Sequence, residues 1–355
     1  MIVHIVGNRP QFIKLSPLYH ELEKRGYEQC IIHSGQHYDE NMSDIFFEEL
    51  EIPVPLKNLG IGSGSHAQMT GKAMMGVEET LQEIGPSLVI LYGDTDTTLA
   101  AALAAVKLGL PIAHVEGGDR VFNKTNPEEC NRIVTDHVSD LIFCSDAPAL
   151  ECAIKEGLGD ISFNTGDIMY DTYLWVSGKT PAPKGEEIVL MTWHRQENTG
   201  SKERMSSILD FVEELPSKVV CPLHPRTRKC LKENGLWDRA QAIPNLEIID
   251  PVGYMEMVGL MQRAKLILTD SGGLSKESSF AGAKCLFMWE AMVWPDLIRE
   301  DWIHRFDPED PESRADAMRF ALAAKRVAKE DRPHYYGNGD AAAVMADLME
   351  EYKLL

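Results

Sequence analysis

The chain has little that would attach it to an extended anion or a membrane, and little that would staple it. Lys and Arg number 35 against 55 Asp and Glu, a formal net charge of −20. Nucleic acid and anionic bilayers are therefore repelled rather than recruited. The seven cysteines (Cys30, Cys130, Cys144, Cys152, Cys221, Cys230, Cys285) form no CxxC pair and are odd in number. That excludes a disulfide framework or zinc knuckle as the basis of the fold and points to reduced thiols. No apolar run reaches the ~20 residues that cross a bilayer. A strand-like pattern from Ile2 onward leaves no signal-peptide pattern, so a cytoplasmic protein is expected. Internal repeats and low-complexity tracts are also missing. What is there is a globular balance, 44% hydrophobic and 25% charged. At 355 residues the chain is long for one hydrophobic core, and two domains of roughly 150–180 residues are expected. In so acidic a protein an anionic ligand needs a local pocket of Arg, Lys and His, which makes the few clusters of them informative.

Short apolar runs alternate with helix-length stretches throughout. Strands are expected at Ile2–Val6, Cys30–His33, Leu88–Tyr92, Ile112–Val115, Leu141–Cys144, Ile188–Thr192, Val219–Leu223, Leu246–Ile249, Leu266–Thr269 and Cys285–Met288. Several are nearly all apolar, as parallel strands covered on both faces must be. Segments such as Pro17–Arg25 and Leu99–Leu108 read as helices between them. The alternation predicts a doubly wound α/β fold. The Pro/Gly-rich stretch Val176–Glu187 reads as a linker between two such domains. Open parallel sheets bind ligands at the carboxyl ends of their strands, so the residues just after each run are the candidates.

Six junctions carry chemistry. Gly7-Asn8-Arg9-Pro10-Gln11-Phe12-Ile13-Lys14 offers a glycine turn and the cations Arg9 and Lys14 at a helix start, suited to an anion. It lacks the GxGxxG dinucleotide fingerprint. Thr269-Asp270-Ser271-Gly272-Gly273, with Glu277 one turn on, can wrap a diphosphate with backbone N–H groups and accept from ribose hydroxyls. Tyr92-Gly93-Asp94-Thr95-Asp96 contains a DxD pair that either holds a metal–diphosphate or presents Asp94 as a catalytic carboxylate. No second ligand cluster of fitting spacing accompanies it, which disfavours metal. His114-Val115-Glu116-Gly117-Gly118, followed by Arg120 and Asn126-Pro127-Glu128-Glu129-Cys130-Asn131-Arg132, adds Glu116 and Glu128. Carboxylates gathered at strand ends raise one another's pKa values, as acid–base chemistry requires. Thr192-Trp193-His194-Arg195-Gln196-Glu197-Asn198 and His224-Pro225-Arg226 follow strands in the second half, so His194, Arg195 and Arg226 are expected to point into an interdomain cleft.

Taken in order, GNRPQFIK, GQHYDENM, GDTDTT, HVEGG, PEECNR, HRQEN, HPRT, TDSGG and YGNGDAA resemble the non-hydrolysing UDP-N-acetylglucosamine 2-epimerase family over nearly the whole chain. The stretches GQHYDENMSDIFFEEL, HAQMTGK and DPVGYMEM resemble the branch whose substrates include UDP-diacetamido-glucuronic acid. The resemblance implies an α/β, GT-B-like fold of two Rossmann-like domains around a deep cleft. The N-terminal domain would span residues 1–175 and a nucleotide-binding domain residues 187–335, with a C-terminal helix within 336–355 packing back on the first. It implies a homodimer acting on a UDP-sugar, with no metal and no cofactor, and no nucleic-acid or membrane partner. By the same resemblance Asp94, Glu116, Glu128 and His194 are the catalytic set. Arg9, Lys14, Arg132, His224, Arg226, Tyr254, Ser271, Gly272, Gly273 and Glu277 face the substrate and UDP. The implied chemistry removes the C2 proton as UDP leaves C1, and re-adds UDP with a proton on the opposite face.

The chain departs from the family pattern at several places. Trp289 and Met292 stand where an arginine and a threonine are usual, Gln196 where a second arginine is usual, and Ser275 where glutamine is common. Glu116-Gly117-Gly118-Asp119-Arg120 replaces the usual Glu-Ala-Gly-Leu-Arg. The retained carboxylates and histidine with altered sugar- and nucleotide-facing residues predict retained chemistry on an altered substrate. A hydrolysing relative that releases UDP, and a GT-B glycosyltransferase or nucleotide-sugar-binding protein, are the alternative readings. Gln36, His37 and Gln68 lie in segments that resemble an allosteric site of some bacterial members.

Overall fold

A computed structural model describes residues 1–35, 47–180, 185–288 and 294–355. Gln36, His37, Trp289 and Met292 lie outside the described residues. The chain forms two compact units, one of Met1–Leu174 with His334–Leu355 and one of Trp175–Pro333.

The first unit is built on strands β1 (Ile2–Val6), β2 (Gln29–His33), β3 (Lys57–Asn58), β4 (Leu88–Tyr92), β5 (Ile112–Val115), β6 (Leu141–Cys144) and β7 (Ser162–Asn164). They pair in parallel in the order β3-β2-β1-β4-β5-β6-β7. β1, β4, β5 and β6 are buried along their whole length, which is why they read as apolar runs, broken by the buried His4 in β1 and His114 in β5. Val3, Ile5, Val89 and Leu91 pack with the alanine-rich Asp96–Lys107 helix in one core. Each large side chain so buried contributes roughly 1.5–3 kcal/mol.

The sequence suggests a helix beginning at Pro17, but the helix spans Arg9–Lys24 with Pro17 inside it. Asn8 caps it by accepting from Gln11 N, and Pro10 sits in its first turn. Pro17 has no N–H for the Ile13 carbonyl. The Thr172 hydroxyl donates to that carbonyl instead, at 2.7 Å, so the interior proline costs no buried orphan. The Ala341–Glu351 helix belongs to this unit. Its own N-cap residue, Asp340, makes no side-chain cap; Asp171 supplies it, accepting from Ala341 N at 3.2 Å and Ala342 N at 2.9 Å.

The second unit has β8 (Ile188–Thr192), β9 (Val219–Pro222), β10 (Leu246–Ile249), β11 (Ala264–Thr269), β12 (Lys284–Phe287) and β13 (Ile303–Arg305). Their order, β10-β9-β8-β11-β12-β13, repeats the first sheet's pattern, and all pairs are parallel. Both sheets thus have the strand order of the Rossmann fold, with a switch point between β1 and β4 in one and between β8 and β11 in the other. The linker expected over Val176–Glu187 is shorter than its composition suggests, because the Ile168–Lys179 helix covers its first four residues. No helix among the described residues is long and apolar enough to cross a membrane.

The first unit also contains an acid-sensitive element. Burial lowers the pKa of His4 to about 4, against a small rise from its Gln29 hydrogen bond. Burial likewise lowers His33 to about 4. Both depressed bases bind protons more weakly folded than unfolded, so their stabilisation falls as pH drops below about 6.5. Asp171 opposes them: burial raises it to about 6 against its two backbone hydrogen bonds, so its effect is most favourable at low pH. With two groups against one, the melting temperature is expected to fall between pH 7 and pH 5 in thermal melts, and His4→Gln is expected to flatten that slope.

Candidate active site

At the first switch point the turn after β1 and the turn after β4 are tied together by buried Gln11. Its Oε1 accepts from Gly7 N at 2.6 Å, while its Nε2 donates to the Tyr92 carbonyl at 2.6 Å and to Thr98 Oγ1 at 3.0 Å. This places Lys14, one turn into the first helix, against Glu116 at the end of β5, and the two form an ion pair. Their side chains are each 12% exposed. A Cβ added to Gly93 would come within 3.1 Å of Lys14 Nζ and 3.6 Å of Glu116 Oε2, and Gly93 itself has φ +61°. The glycine is therefore required both by the turn and by the approach of the pair.

Glu116 itself adopts φ +65°. A non-glycine residue there costs of order 1–3 kcal/mol, and such strain gathers at functional sites. Asp94 is 34% exposed and accepts from Arg132 Nη1 at 2.6 Å. Asn131 Nδ2 donates to the Asp94 carbonyl at 2.9 Å. Arg9 is part-buried, and burial holds its pKa below the usual value against the opposing charge of Glu49. Glu116 and Asp94 thus lie at adjacent strand ends, each paired with a helix-borne cation, Lys14 and Arg132 respectively.

Glu128 is not drawn into this group. It stands exposed on the first turn of the Pro127–His137 helix, its backbone N–H donating to Asn126 Oδ1 at 3.1 Å. Its neighbour Glu129 is buried and accepts from Val121 N at 3.0 Å and Phe122 N at 2.7 Å. Asp96 of the DxD pair is also buried, at the start of its helix, paired with His66 Nδ1 at 2.8 Å. No group of three or more His, Cys, Asp or Glu among the described residues has metal-binding geometry.

At the second switch point the organising residue is Asp270, which lies in a quoted motif but not among the expected site residues. It is fully buried and accepts from His194 N at 3.0 Å, Arg195 N at 3.0 Å, Asn198 Nδ2 at 3.0 Å and His194 Nδ1 at 3.2 Å. Burial pushes its pKa up, but the His194 hydrogen bond and charge, with the Arg195 and Asn198 donors, bring it below the ordinary carboxylate value. The spacing of the His194–Asn198 motif is explained by this wrap around one carboxylate. The anchored Nδ1 leaves His194, with a side chain 42% exposed, presenting Nε2 outward. Its ring lies 5.6 Å from that of His224, whose Nδ1 accepts from Arg226 N at 3.2 Å. Arg226 itself is exposed.

Ser271 caps the Gly272–Ala281 helix by accepting from Leu274 N. A Cβ on Gly272 would meet nothing within 4 Å, so the first turn with Gly272 and Gly273 has room for an anion at the positive helix end. Glu277 is buried and receives the Tyr254 hydroxyl at 2.6 Å. Buried Lys276 sits 4.1 Å from the Trp294 ring centre, and Trp294 Nε1 donates to the Gly272 carbonyl at 2.9 Å.

The sequence model of the UDP-N-acetylglucosamine 2-epimerase family matches residues 20–350. The chain belongs to that family. It is 45% identical over 312 residues to a UDP-N-acetylglucosamine 2-epimerase homolog of Methanococcus maripaludis, covering 85% of this chain and 87% of the relative. It is 44% identical over 308 residues to a UDP-2,3-diacetamido-2,3-dideoxy-D-glucuronate 2-epimerase of Pseudomonas aeruginosa, covering 84% and 85%. The fold superposes with a TM-score of 0.88 on the Methanocaldococcus jannaschii UDP-GlcNAc 2-epimerase crystallised with UDP-GlcNAc and UDP, at 35% identity and 99% of both chains. The chain is therefore an epimerase with the GT-B-like α/β fold of two Rossmann-like units, near the branch its motifs indicate.

Proposed function

We propose that this epimerase inverts C2 of a UDP-linked N-acetylated sugar, with Asp94, Glu116, Glu128 and His194 as the catalytic set. The observation that carries this reading is the cluster at the first switch point: two carboxylates at neighbouring strand ends, each held by its own cation. Removing a weakly acidic C2 proton needs a positioned base, and inversion needs a second acid–base group on the opposite face. As the base takes that proton, the C1–O bond to UDP breaks and its electron pair leaves with the diphosphate, giving a 2-acetamidoglucal. UDP then returns to C1 while a proton reaches C2 from the other side. Cations near the leaving diphosphate stabilise its charge. In this reading Arg9, Lys14, Arg132, His224 and Arg226 serve that role. Ser271, Gly272 and Gly273 hold the diphosphate through the helix N-terminus, and Glu277 with Tyr254 takes the ribose. The proposal includes the division into residues 1–175, 187–335 and 336–355, with the second domain binding nucleotide, a cytoplasmic location and a homodimer.

The substrate we favour is a modified sugar such as a diacetamido uronate, in line with the 44%-identical relative named for one and with Trp289 in place of an arginine. Loss of a charge-assisted bond costs ~1.5–3 kcal/mol, so kcat/KM for plain UDP-N-acetylglucosamine is expected to be roughly ten- to a hundredfold lower. The test incubates the enzyme with a panel of N-acetylated UDP-sugars in deuterated water and follows C2 exchange by NMR. Deuterium at C2 with both epimers still UDP-linked supports the proposal; accumulation of free UDP and free sugar supports the hydrolysing alternative. Activity is expected to persist in excess EDTA, and its loss with recovery on adding manganese would favour a glycosyltransferase.

A further inference from the structure

Beneath the two carboxylate-bearing turns lies a buried polar chain that the chemistry above does not use. His114, in β5, is fully buried, and its Nε2 donates to the Gly93 carbonyl at 2.7 Å, since a carbonyl oxygen only accepts. Its Nδ1 meets Asp136 Oδ1 at 2.7 Å. The other oxygen of Asp136 accepts from Gly118 N at 3.1 Å and pairs with Arg120 Nη2 at 2.7 Å. Arg120 continues to Glu156 through two hydrogen bonds of 2.8 Å. Asp136 is kept ionised: burial raises its pKa, but His114 and Arg120 bring it below the ordinary value.

The chain therefore grips the residue before Asp94 and the second residue after Glu116. Its grip on both turns is through backbone groups, the Gly93 carbonyl and the Gly118 N–H. Space is restricted as well, because a Cβ on Gly117 would lie 2.6 Å from Asp136 Oδ1 and 2.9 Å from His114 Nδ1. The glycine that replaces the family's usual alanine at this position thus lets the carboxylate sit hard against the turn.

We propose that His114 and Asp136 are positioning residues that clamp the Gly93–Asp94 turn to the Glu116–Gly118 turn and so set the spacing of the two carboxylates. The proposal rests on the epimerase reading, in which those carboxylates handle the C2 proton. A carboxylate displaced by about 1 Å loses roughly a hundredfold in rate while the rest of the substrate still binds. The test uses His114→Asn, which can keep the Asp136 bond but is too short for Gly93, together with Asp136→Asn and the double variant. It reads kcat and KM by C2 exchange, UDP affinity, and the melting temperature.

Each single variant is expected to lose roughly a hundredfold in kcat with KM and UDP affinity within about twofold. Because the two residues act through one linkage, the double variant is expected to lose no more than the worse single. His114→Gln, whose longer amide can again donate toward Gly93, is expected to recover about tenfold over His114→Asn. Near wild-type kcat in the single variants, or losses that multiply in the double, overturns the proposal. So does a loss that merely follows the folded fraction. Should the His114 variants not fold, Asp136→Asn decides alone, being isosteric and still able to accept from Gly118. Wild-type enzyme that exchanges no C2 proton with any sugar sinks the epimerase reading; exchange by wild type and variants alike sinks only the positioning role.

Discussion

Glu116→Gln is expected to lower kcat by ~10²–10⁴, the range of a general acid–base contribution. Glutamine matches the size and shape of glutamate but cannot take a proton at neutral pH, so the variant isolates the proton-transfer step. The backbone of residue 116, at φ +65°, is held by Glu116 N donating to the Phe143 carbonyl at 3.0 Å, a bond that the substitution leaves in place. Lys14 loses its anionic partner, so some stability falls as well, by an amount read from the melting temperature. Adding Lys14→Met to Glu116→Gln removes the cation of that ion pair as well and is expected to leave the rate unrestored. Asp94→Asn is expected to fall in the same range for the same reason. UDP affinity measured by calorimetry should stay within a few-fold, since losing a group used only in the transition state leaves ground-state binding intact. Turnover of Glu116→Gln near the wild-type rate would remove Glu116 from the catalytic set.

The parts of this molecule legible in the sequence are those where one physical demand dominates. The strands of four or more residues carry the apolar runs that a covered sheet demands, so all ten of them, the half-buried edge strand β10 included, read within two residues of their observed ends. β3, β7 and β13, only two or three residues long at sheet edges, carry too short a run to read as strands. Pro17 was read as a helix start because a proline's local cost is visible in sequence, whereas the Thr172 hydroxyl that offsets it is 155 positions away (172 − 17). The same limit explains the site. Glycines and strand-end motifs point to turns that the structure brings together at each switch point, but do not show which acid within a motif is buried. At Glu128-Glu129 the expected site residue is exposed and its neighbour is buried, a difference that residue type and spacing do not show. Asp270 and Asp136 look in sequence like ordinary helix residues or caps. Their role depends on donors from segments 76 and 22 residues distant (270 − 194; 136 − 114). A pattern that could have found Asp270 is its pairing with the His194–Asn198 run, both directly after strands that are central in a Rossmann order.

Asp270→Asn is expected to have the largest combined effect on stability and rate. The carboxylate is an acceptor-only group ringed by donors, His194 N, Arg195 N, Asn198 Nδ2 and His194 Nδ1. An asparagine offers a single accepting oxygen and turns an NH₂ group toward other N–H groups, leaving buried donors unmet. Each lost hydrogen bond to a charged group is worth ~1.5–3 kcal/mol, so a loss of at least about 3 kcal/mol is expected in denaturant unfolding. The depressed pKa of Asp270 gives the pH dependence. A carboxyl whose folded pKa lies below its unfolded value of about 3.9 stabilises fully above that value and loses the effect as pH falls through the folded pKa. The gap between wild type and variant should therefore be constant from about pH 5 to 8 and narrow only below about pH 4. Among molecules that remain folded, His194 loses the partner that orients its ring, and kcat is expected to fall by ~10²–10⁴. His194→Gln measured alone and with Asp270→Asn separates the two effects. If Asp270 acts on rate through His194, the double variant has the kcat of the single histidine variant and only its stability falls further. Asp270→Asn with full stability and unchanged kcat would show that the wrap of the His194–Asn198 motif around this carboxylate does not organise the site.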